Sequence, residues 1–465
     1  MKHRFKALLG AGLLISGLLS ACGNSQNAAT KPADATGANA TTAQSGGSAA
    51  NGTNKAAPKQ LTMSMAWSSA ELTKAMTGIL NEYNKTHPDV VWTLAPGMQE
   101  DKLLAQIAAG NPPSVSMLNT TNYVPTFAAK GAILSLEPYI QKSGLDLNQF
   151  TPASLYSNSI LGHQYALPYF EDTYGLYYNK TLFAKAGIDH PPATLEELVA
   201  DAKKLTIEGP DGQYTQLGFL PAFTKENEGY LWGGRFATKD GVVTANDPNV
   251  VKGVSWLVDY WKQFNPDKIA RFQSSNQNAA SGVNPFTTGK VGMIVSGEWF
   301  MPSIQQQAPN LDFDVAPIPH PADAPQFGNM GSVGGNPMVI PKGAAEPDQA
   351  WELIKWLSTE GEKLGVKPEY FSAIMAVPAL KELVNDSKLA PNPQMAFFWK
   401  YSGGDNIIPF PPIPESATYA KQLSTNIQLA ETGKMTVQQA LDDVQKQIAP
   451  LVDSELKTWK ASAGK

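Results

Sequence analysis

The chain of 465 residues holds a single cysteine, Cys22, so no disulfide can form within it. Histidine is nearly as scarce: five are scattered along the chain, and a metal site built on imidazole is not expected. Positive charge is nowhere gathered into blocks, and the net charge is −5, which argues against a nucleic-acid partner. Beyond residue 20 no apolar run is long enough to span a bilayer. Catalytic signatures are missing as well. There is no His-Glu-x-x-His, no Gly-x-Ser-x-Gly and no Walker loop, since Gly289-Lys290 runs on into Val291 without the upstream glycine spacing. The adjacent acids Glu171 and Asp172 could be taken for a glycosidase pair, but neighbours on an extended chain point to opposite faces. Neither an enzyme nor a cofactor is expected, and no repeat of fixed period occurs.

What is present begins at the N-terminus. Lys2, His3, Arg4 and Lys6 precede a short apolar run from Ala7 to Leu19, which leads into Leu19-Ser20-Ala21-Cys22-Gly23. A basic leader, a short apolar core and small residues before a cut site describe an export signal. The cysteine at that junction resembles the lipobox of bacterial lipoproteins, which implies a signal over residues 1–22 and an acylated Cys22. That in turn implies a protein held by lipid on the extracellular or periplasmic face of the cell membrane. Residues 23–60 are Ala, Thr, Asn, Gly, Ser and Gln with scattered Lys, a composition that cannot bury enough apolar surface to repay its ordering entropy. They are expected to form a disordered tether with a root-mean-square span of roughly 35 Å.

The remaining chain, about 400 residues, exceeds what one hydrophobic core supports, and two domains are expected. Alternation from Leu61 to Ala66 predicts a strand, Ser68-Ser69-Ala70-Glu71 a capping box in which Ser68 accepts and Glu71 reaches back, and Leu72 to Tyr83 a helix. Val90 to Leu94, Leu103 to Ile107 and Val115 to Leu118 continue as strand, helix and strand, a βαβαβ unit of a parallel α/β layer. Ligands of such layers bind beyond the carboxyl ends of the strands, here at Trp67, at Met98 to Glu100 and at Asn119 to Asn122. Later on, Thr194 to Glu197 predicts a second capping box, Asp247-Pro248 a helix start, and Val291 to Val295 a strand that stops before Glu298-Trp299. Ten tryptophans and fifteen tyrosines, several beside Gly, Asn or Ser, hint at a polar ligand held by ring faces.

Three stretches then resemble a known family: Leu167-Pro168-Tyr169 through Tyr177-Tyr178-Asn179-Lys180, the run from Phe286 to Trp299 that contains Gly289-Lys290-Val291-Gly292-Met293, and Gly334-Gly335. Together with Met435 to Leu441 they are similar, in order, to the sugar-binding lipoproteins of ABC importers, the maltose-binding-protein-like solute-binding family. The resemblance implies a two-lobed α/β fold of the periplasmic-binding-protein type with the ligand in the interlobe cleft. It places the N-terminal lobe at 61–169 and 315–357 and the C-terminal lobe at 170–312 and 358–463. It further implies hinge closure over a carbohydrate, an oligosaccharide in particular, and delivery by the monomer to ABC permease subunits in the membrane.

A sugar site wants aromatic rings for the pyranose faces and Asp, Glu, Asn and backbone N–H groups for the hydroxyls. The candidates are Trp67, Gln99, Glu100, Asn119, Thr120, Asp172, Trp232, Glu298, Trp299, Gly334, Gly335 and Asn336, the last three through the N–H groups of a turn. Asp172 matches the acidic position of the family's crossing segment, whereas the loop at Asn119 is neutral where relatives often carry an acid. Tyr401, Tyr419 and Phe371 are weaker candidates. The alternatives are another solute on the same architecture, such as an oligopeptide, glycerol phosphate or a polyamine, or a sensor that binds without transport. A phosphate would ask for basic residues, and only Arg235 stands near a candidate.

Overall fold

The computed structural model describes residues 57–221, 227–276, 283–328, 334–386, 388–402 and 407–463. The export signal, Cys22 and the expected tether as far as residue 56 lie outside the described residues. The alternation at Leu61, Met63 and Met65 becomes β1, Lys59–Met65, with all three side chains buried. Lys59 and Gln60, expected in the tether, already pair with Val90 and Val91. Their main-chain groups gain ladder partners whatever their side chains are.

Helix α1, Ala70–Thr86, buries Met76, Ile79, Leu80 and Tyr83 along one face, as the spacing predicts. Its cap is one residue later than expected: the N–H of Leu72 donates to Ser69 Oγ at 3.3 Å. Then follow β2, Val90–Pro96, α2, Glu100–Ala108, and β3, Val115–Met117. β1 runs parallel to both β2 and β3, which completes the predicted βαβαβ unit. Strands Pro337–Val339 and Leu167–Pro168 extend the sheet beyond β3 in antiparallel fashion.

A second five-stranded sheet orders Phe313–Ala316, Tyr174–Asn179, Val291–Gly297, Tyr214–Leu220 and Ile207–Glu208 from edge to edge. Helix Leu195–Leu205 packs on it and opens with the predicted box, Glu197 N–H to Thr194 Oγ1 at 3.1 Å and Thr194 N–H to Glu197 Oε2 at 3.4 Å. Asp247 caps helix Pro248–Gln263, with Pro248 in its first turn. One apolar core lies on the first sheet alone, and a larger one runs from the second sheet onto Leu118, Val124 and Val339 beside the first; with its two separate sheets the fold is a two-lobed α/β architecture.

Two lobe boundaries differ from the expectation. Strand Phe313–Ala316 pairs along its whole length with Tyr174–Asn179, so Val315 and Ala316 belong with the second sheet. Helix Pro368–Ile374, expected in the C-terminal lobe, packs instead on α1, and Ala376 is part of the first sheet's core. Strand pairing and apolar stripes decide membership, and neither follows the order of the chain. Between the lobes, Glu171 and Val377 exchange main-chain hydrogen bonds of 2.8 and 3.2 Å, tying two crossing segments together. Among the described residues no helix is long and apolar enough to cross a membrane.

Candidate functional site

A cavity of about 850 Å³ opens between the two sheets. From the first sheet it takes the residues just past the carboxyl ends of the parallel strands, Trp67 after β1 and Asn119 and Thr120 after β3, as the layer architecture dictates. From the second it takes Tyr174 at the start of its strand, and Glu298 and Trp299 just beyond Val291–Gly297. Gly334, Asn336 and Asp172 stand at the crossings between them. Eight of the twelve candidates therefore line one space: Trp67, Asn119, Thr120, Asp172, Glu298, Trp299, Gly334 and Asn336.

The placement of Trp299 depends on its neighbours. Its indole folds back over Gly297 so closely that a Cβ there would sit 1.9 Å from the ring. Tyr174 meets it edge-on with centroids 5.1 Å apart. Trp299 remains 40 % exposed and lines the cavity.

The other four candidates are not in the lining. Gln99 turns its amide to the Ala66 carbonyl at 2.6 Å, and Glu100 is buried with Oε1 accepting the N–H of Asn119 at 2.7 Å. Both hold the loops that carry Trp67 and Asn119, because the start of α2 lies behind these loops. Trp232 is elsewhere on the second lobe: its Nε1 donates to Asp323 at 2.8 Å, and Lys252 lies 4.8 Å above its ring. Gly335 has φ of +139°, and a Cβ on it would meet the Phe170 carbonyl oxygen at 2.5 Å, so its role is the backbone path.

The turn's N–H groups are also not free for a ligand. Gly334 donates to the Asp172 carbonyl and Asn336 to the Phe170 carbonyl, both at 3.2 Å, while the Gly335 N–H supports the Asp172 carboxyl. Arg235 curls onto the carbonyls of Gly233 and Gly234 at 3.0 and 2.8 Å. Phe371 and Tyr419 are buried in the core, and Tyr401 packs on Phe397.

Sequence reasoning missed Glu71, Tyr174, Ser303, Gln305, Gln306 and Ser372, all of which face the cavity. Tyr174 was legible in principle, two residues beyond Asp172 on the same extended face. Glu71 was hidden by its apparent part in a capping box. Ser372 comes from helix Pro368–Ile374, whose docking on α1 no local pattern announces.

The electrostatics of the lining are one-sided. Among the described residues its lining includes no Lys, Arg or His, and the charged groups there are Glu71, Asp172 and Glu298. Burial pushes the Asp172 carboxyl up to about 6, against the pull of its hydrogen bonds to Glu298 and to the Gly335 N–H. Glu298 is held well above the usual carboxylate range, first by burial and then by the charge of Asp172. Glu171 points away from the cavity to Thr151, whose hydroxyl donates to it, and burial raises it to about 8. The two adjacent acids thus face opposite ways and form no catalytic pair. Among the described residues, no group of His, Cys, Asp and Glu is arranged to hold a metal ion.

Comparison with known proteins agrees with this architecture. A binding protein of Brucella abortus (strain 2308) is 27 % identical over 312 residues, 62 % of this chain and 72 % of its own length. The sn-glycerol-3-phosphate-binding periplasmic protein of Escherichia coli (strain K12) is 28 % identical over 292 residues, 59 % of this chain and 64 % of that one. Among solved structures, a mannotriose-bound protein, CpMnBP1, superposes with a TM-score of 0.72 at 27 % identity, covering 83 % of this chain and 99 % of its own. The sequence pattern of the bacterial extracellular solute-binding proteins matches residues 66–364, more than half of the chain, which belongs to that family of binding proteins.

Proposed function

We propose that this protein is the receptor of an ABC importer, lipid-anchored through Cys22 outside the membrane, which captures an oligosaccharide between its lobes and hands it unchanged to the permease. The observation that carries this reading is the combination in one interlobe cavity of indole and phenol rings, from Trp67, Trp299 and Tyr174, with hydroxyl-bonding groups from Asn119, Thr120, Asp172 and Asn336. Ring faces pack on the C–H faces of a pyranose, and the amides and carboxyls bond its edges. A volume of about 850 Å³ suits a ligand of more than one ring. The Glu171–Val377 contact lies on the crossings about which hinge closure would turn. The likeness to a mannotriose-bound protein supports the same ligand class.

A glycerol phosphate reading has a relative in its favour but not the lining, whose described residues offer a phosphate no cation and place acids in its way. A thermal-shift panel of neutral oligosaccharides, sugar phosphates, glycerol phosphate and peptides tests the assignment. A true ligand at a hundredfold excess over its Kd stabilises the fold by about 2.7 kcal/mol. A shift with neutral oligosaccharides alone is expected. A shift with glycerol phosphate and none with any sugar refutes the assignment.

A further inference from the structure

Two carboxyl groups stand at the wall of the cavity with no cation beside them among the described residues. Asp172 leaves the first crossing on the cavity side, and Glu298 follows strand Val291–Gly297 and is fully buried. Oε2 of Glu298 accepts the Thr173 N–H at 3.1 Å, while Oε1 has no donor group around it. Asp172 receives the Gly335 N–H, and the Thr173 N–H that Glu298 accepts belongs to the residue next to Asp172, which brings the two acids to the same wall of the cavity. Two neighbouring carboxylates have only acceptors to offer, and a proton on the buried, unpartnered Oε1 relieves their repulsion.

Among the described residues, the titratable groups around the pair supply no positive charge. Glu171, next in the chain, turns away to Thr151. Glu362 lies behind it and accepts the N–H groups of Ala379 and Leu380 at 2.6 and 3.0 Å. Tyr177 sits beside Glu298 with its hydroxyl donating to the Gly297 carbonyl at 2.8 Å. Glu71, on the first turn of α1, adds a third acid to the lining.

We infer that Asp172 and Glu298 are a specificity-determining acid pair, which keeps one proton between its carboxyls, presents one acceptor to a ligand hydroxyl and turns away solutes that carry negative charge. The inference rests on the oligosaccharide reading for its ligand and on the geometry of the two acids for its mechanism. With one proton the pair carries a single negative charge, which burial tolerates better than two. In acid the second proton removes the acceptor; in alkali the shared proton leaves and two buried charges force the carboxyls apart. Upward displacement of both acids by burial agrees with a pair that stays half-protonated at neutral pH.

Infrared difference spectra of the unliganded protein and Glu298→Gln test the pair without any ligand. At neutral pH the wild type minus Glu298→Gln difference is expected to show a protonated-carboxyl stretch, because the stretches of the buried acids Glu171 and Glu362 are common to both proteins and cancel. Absence of that band from the difference overturns the pair. Calorimetry from acid to alkaline pH tests its use, with a neutral oligosaccharide and the same sugar bearing a phosphate as probes. The neutral sugar is expected to bind in a bell-shaped profile, with affinity falling about tenfold per pH unit beyond the acid limb. Glu298→Gln is expected to keep the acid limb and lose the alkaline one. A flat profile, or a phosphorylated sugar bound as tightly as its neutral parent, overturns the selectivity. If only the phosphorylated sugar binds, the oligosaccharide reading falls too, whereas neutral-sugar binding without the infrared band removes the pair alone.

Discussion

The ring of Tyr174 meets the indole of Trp299 edge-on, with centroids 5.1 Å apart and planes at 85°. One comes from the start of a strand and the other from just past the end of its antiparallel neighbour, with Gly297 paired directly to Tyr174. This corner fixes the indole's tilt before any ligand arrives, and aromatic groups ordered in advance lose little entropy on binding.

Trp299→Ala is therefore expected to weaken oligosaccharide binding by about 1–2 kcal/mol, roughly a 5- to 30-fold rise in Kd by calorimetry. The melting temperature should hardly change, because the ring is 40 % exposed. Trp67→Ala should act in the same direction. Trp232→Ala is the internal control: its ring lies outside the cavity against Lys252, and affinity should stay as in the wild type.

Gly297→Ala should reproduce much of the Trp299 defect with the indole still in the chain. The new methyl would occupy the ring's position, 1.9 Å from its atoms, and must displace it. Tryptophan fluorescence should report the moved ring alongside a weaker Kd; unchanged emission and affinity would refute the packing argument.

Glu100→Ala strips the Asn119 N–H of its acceptor inside the protein. Because Asn119 is itself exposed and water can take over its N–H, the loss is the net worth of one hydrogen bond, about 1 kcal/mol, to be read from denaturant midpoints. Affinity should fall as well, since the loop after β3 loses its anchor although Glu100 itself touches no ligand.

Glu171 contributes to the pH dependence of stability. Its folded-state carboxyl titrates near 8 against an ordinary value of 4.5, chiefly through burial. Between these values the native state binds more protons than the unfolded one, so stability falls as pH rises. The contribution is whole below about 4.5 and is lost on the way to about 8. Glu171→Gln should flatten that part of a urea-midpoint profile relative to the wild type, and an unchanged slope would show that another group is responsible.

Gly335→Ala places a Cβ 2.5 Å from a main-chain oxygen at a φ that side chains avoid, and should cost about 1–3 kcal/mol. Ligand affinity should drop with it, because Gly335 lies between two cavity residues and its N–H supports Asp172.

Much of this molecule is written locally. The alternation in β1 and the stripe of α1 each bury one face, and the strand–helix order compels a parallel layer whose ligand end carries Trp67 and Asn119. The opposite orientations of Glu171 and Asp172 follow from the extended chain. The cap of α1 was misplaced by one residue because Ser68 and Ser69 offer the same hydroxyl, and local pattern cannot choose between them.

What the sequence determined, then, is whatever one segment's periodicity, capping and turn chemistry can specify: the α/β alternation, the strand ends and the chemical kind of the site. Only the tertiary structure decided which side chains share a space. Gln99 and Glu100 became props, Trp232 went to another face, and Ser372 and Tyr174 entered the cavity. Docking of helix Pro368–Ile374 on α1 and pairing of Phe313–Ala316 with Tyr174–Asn179 join residues far apart in the chain. The free energy of such contacts is set by burial and hydrogen bonding between segments, which no single stretch of sequence contains.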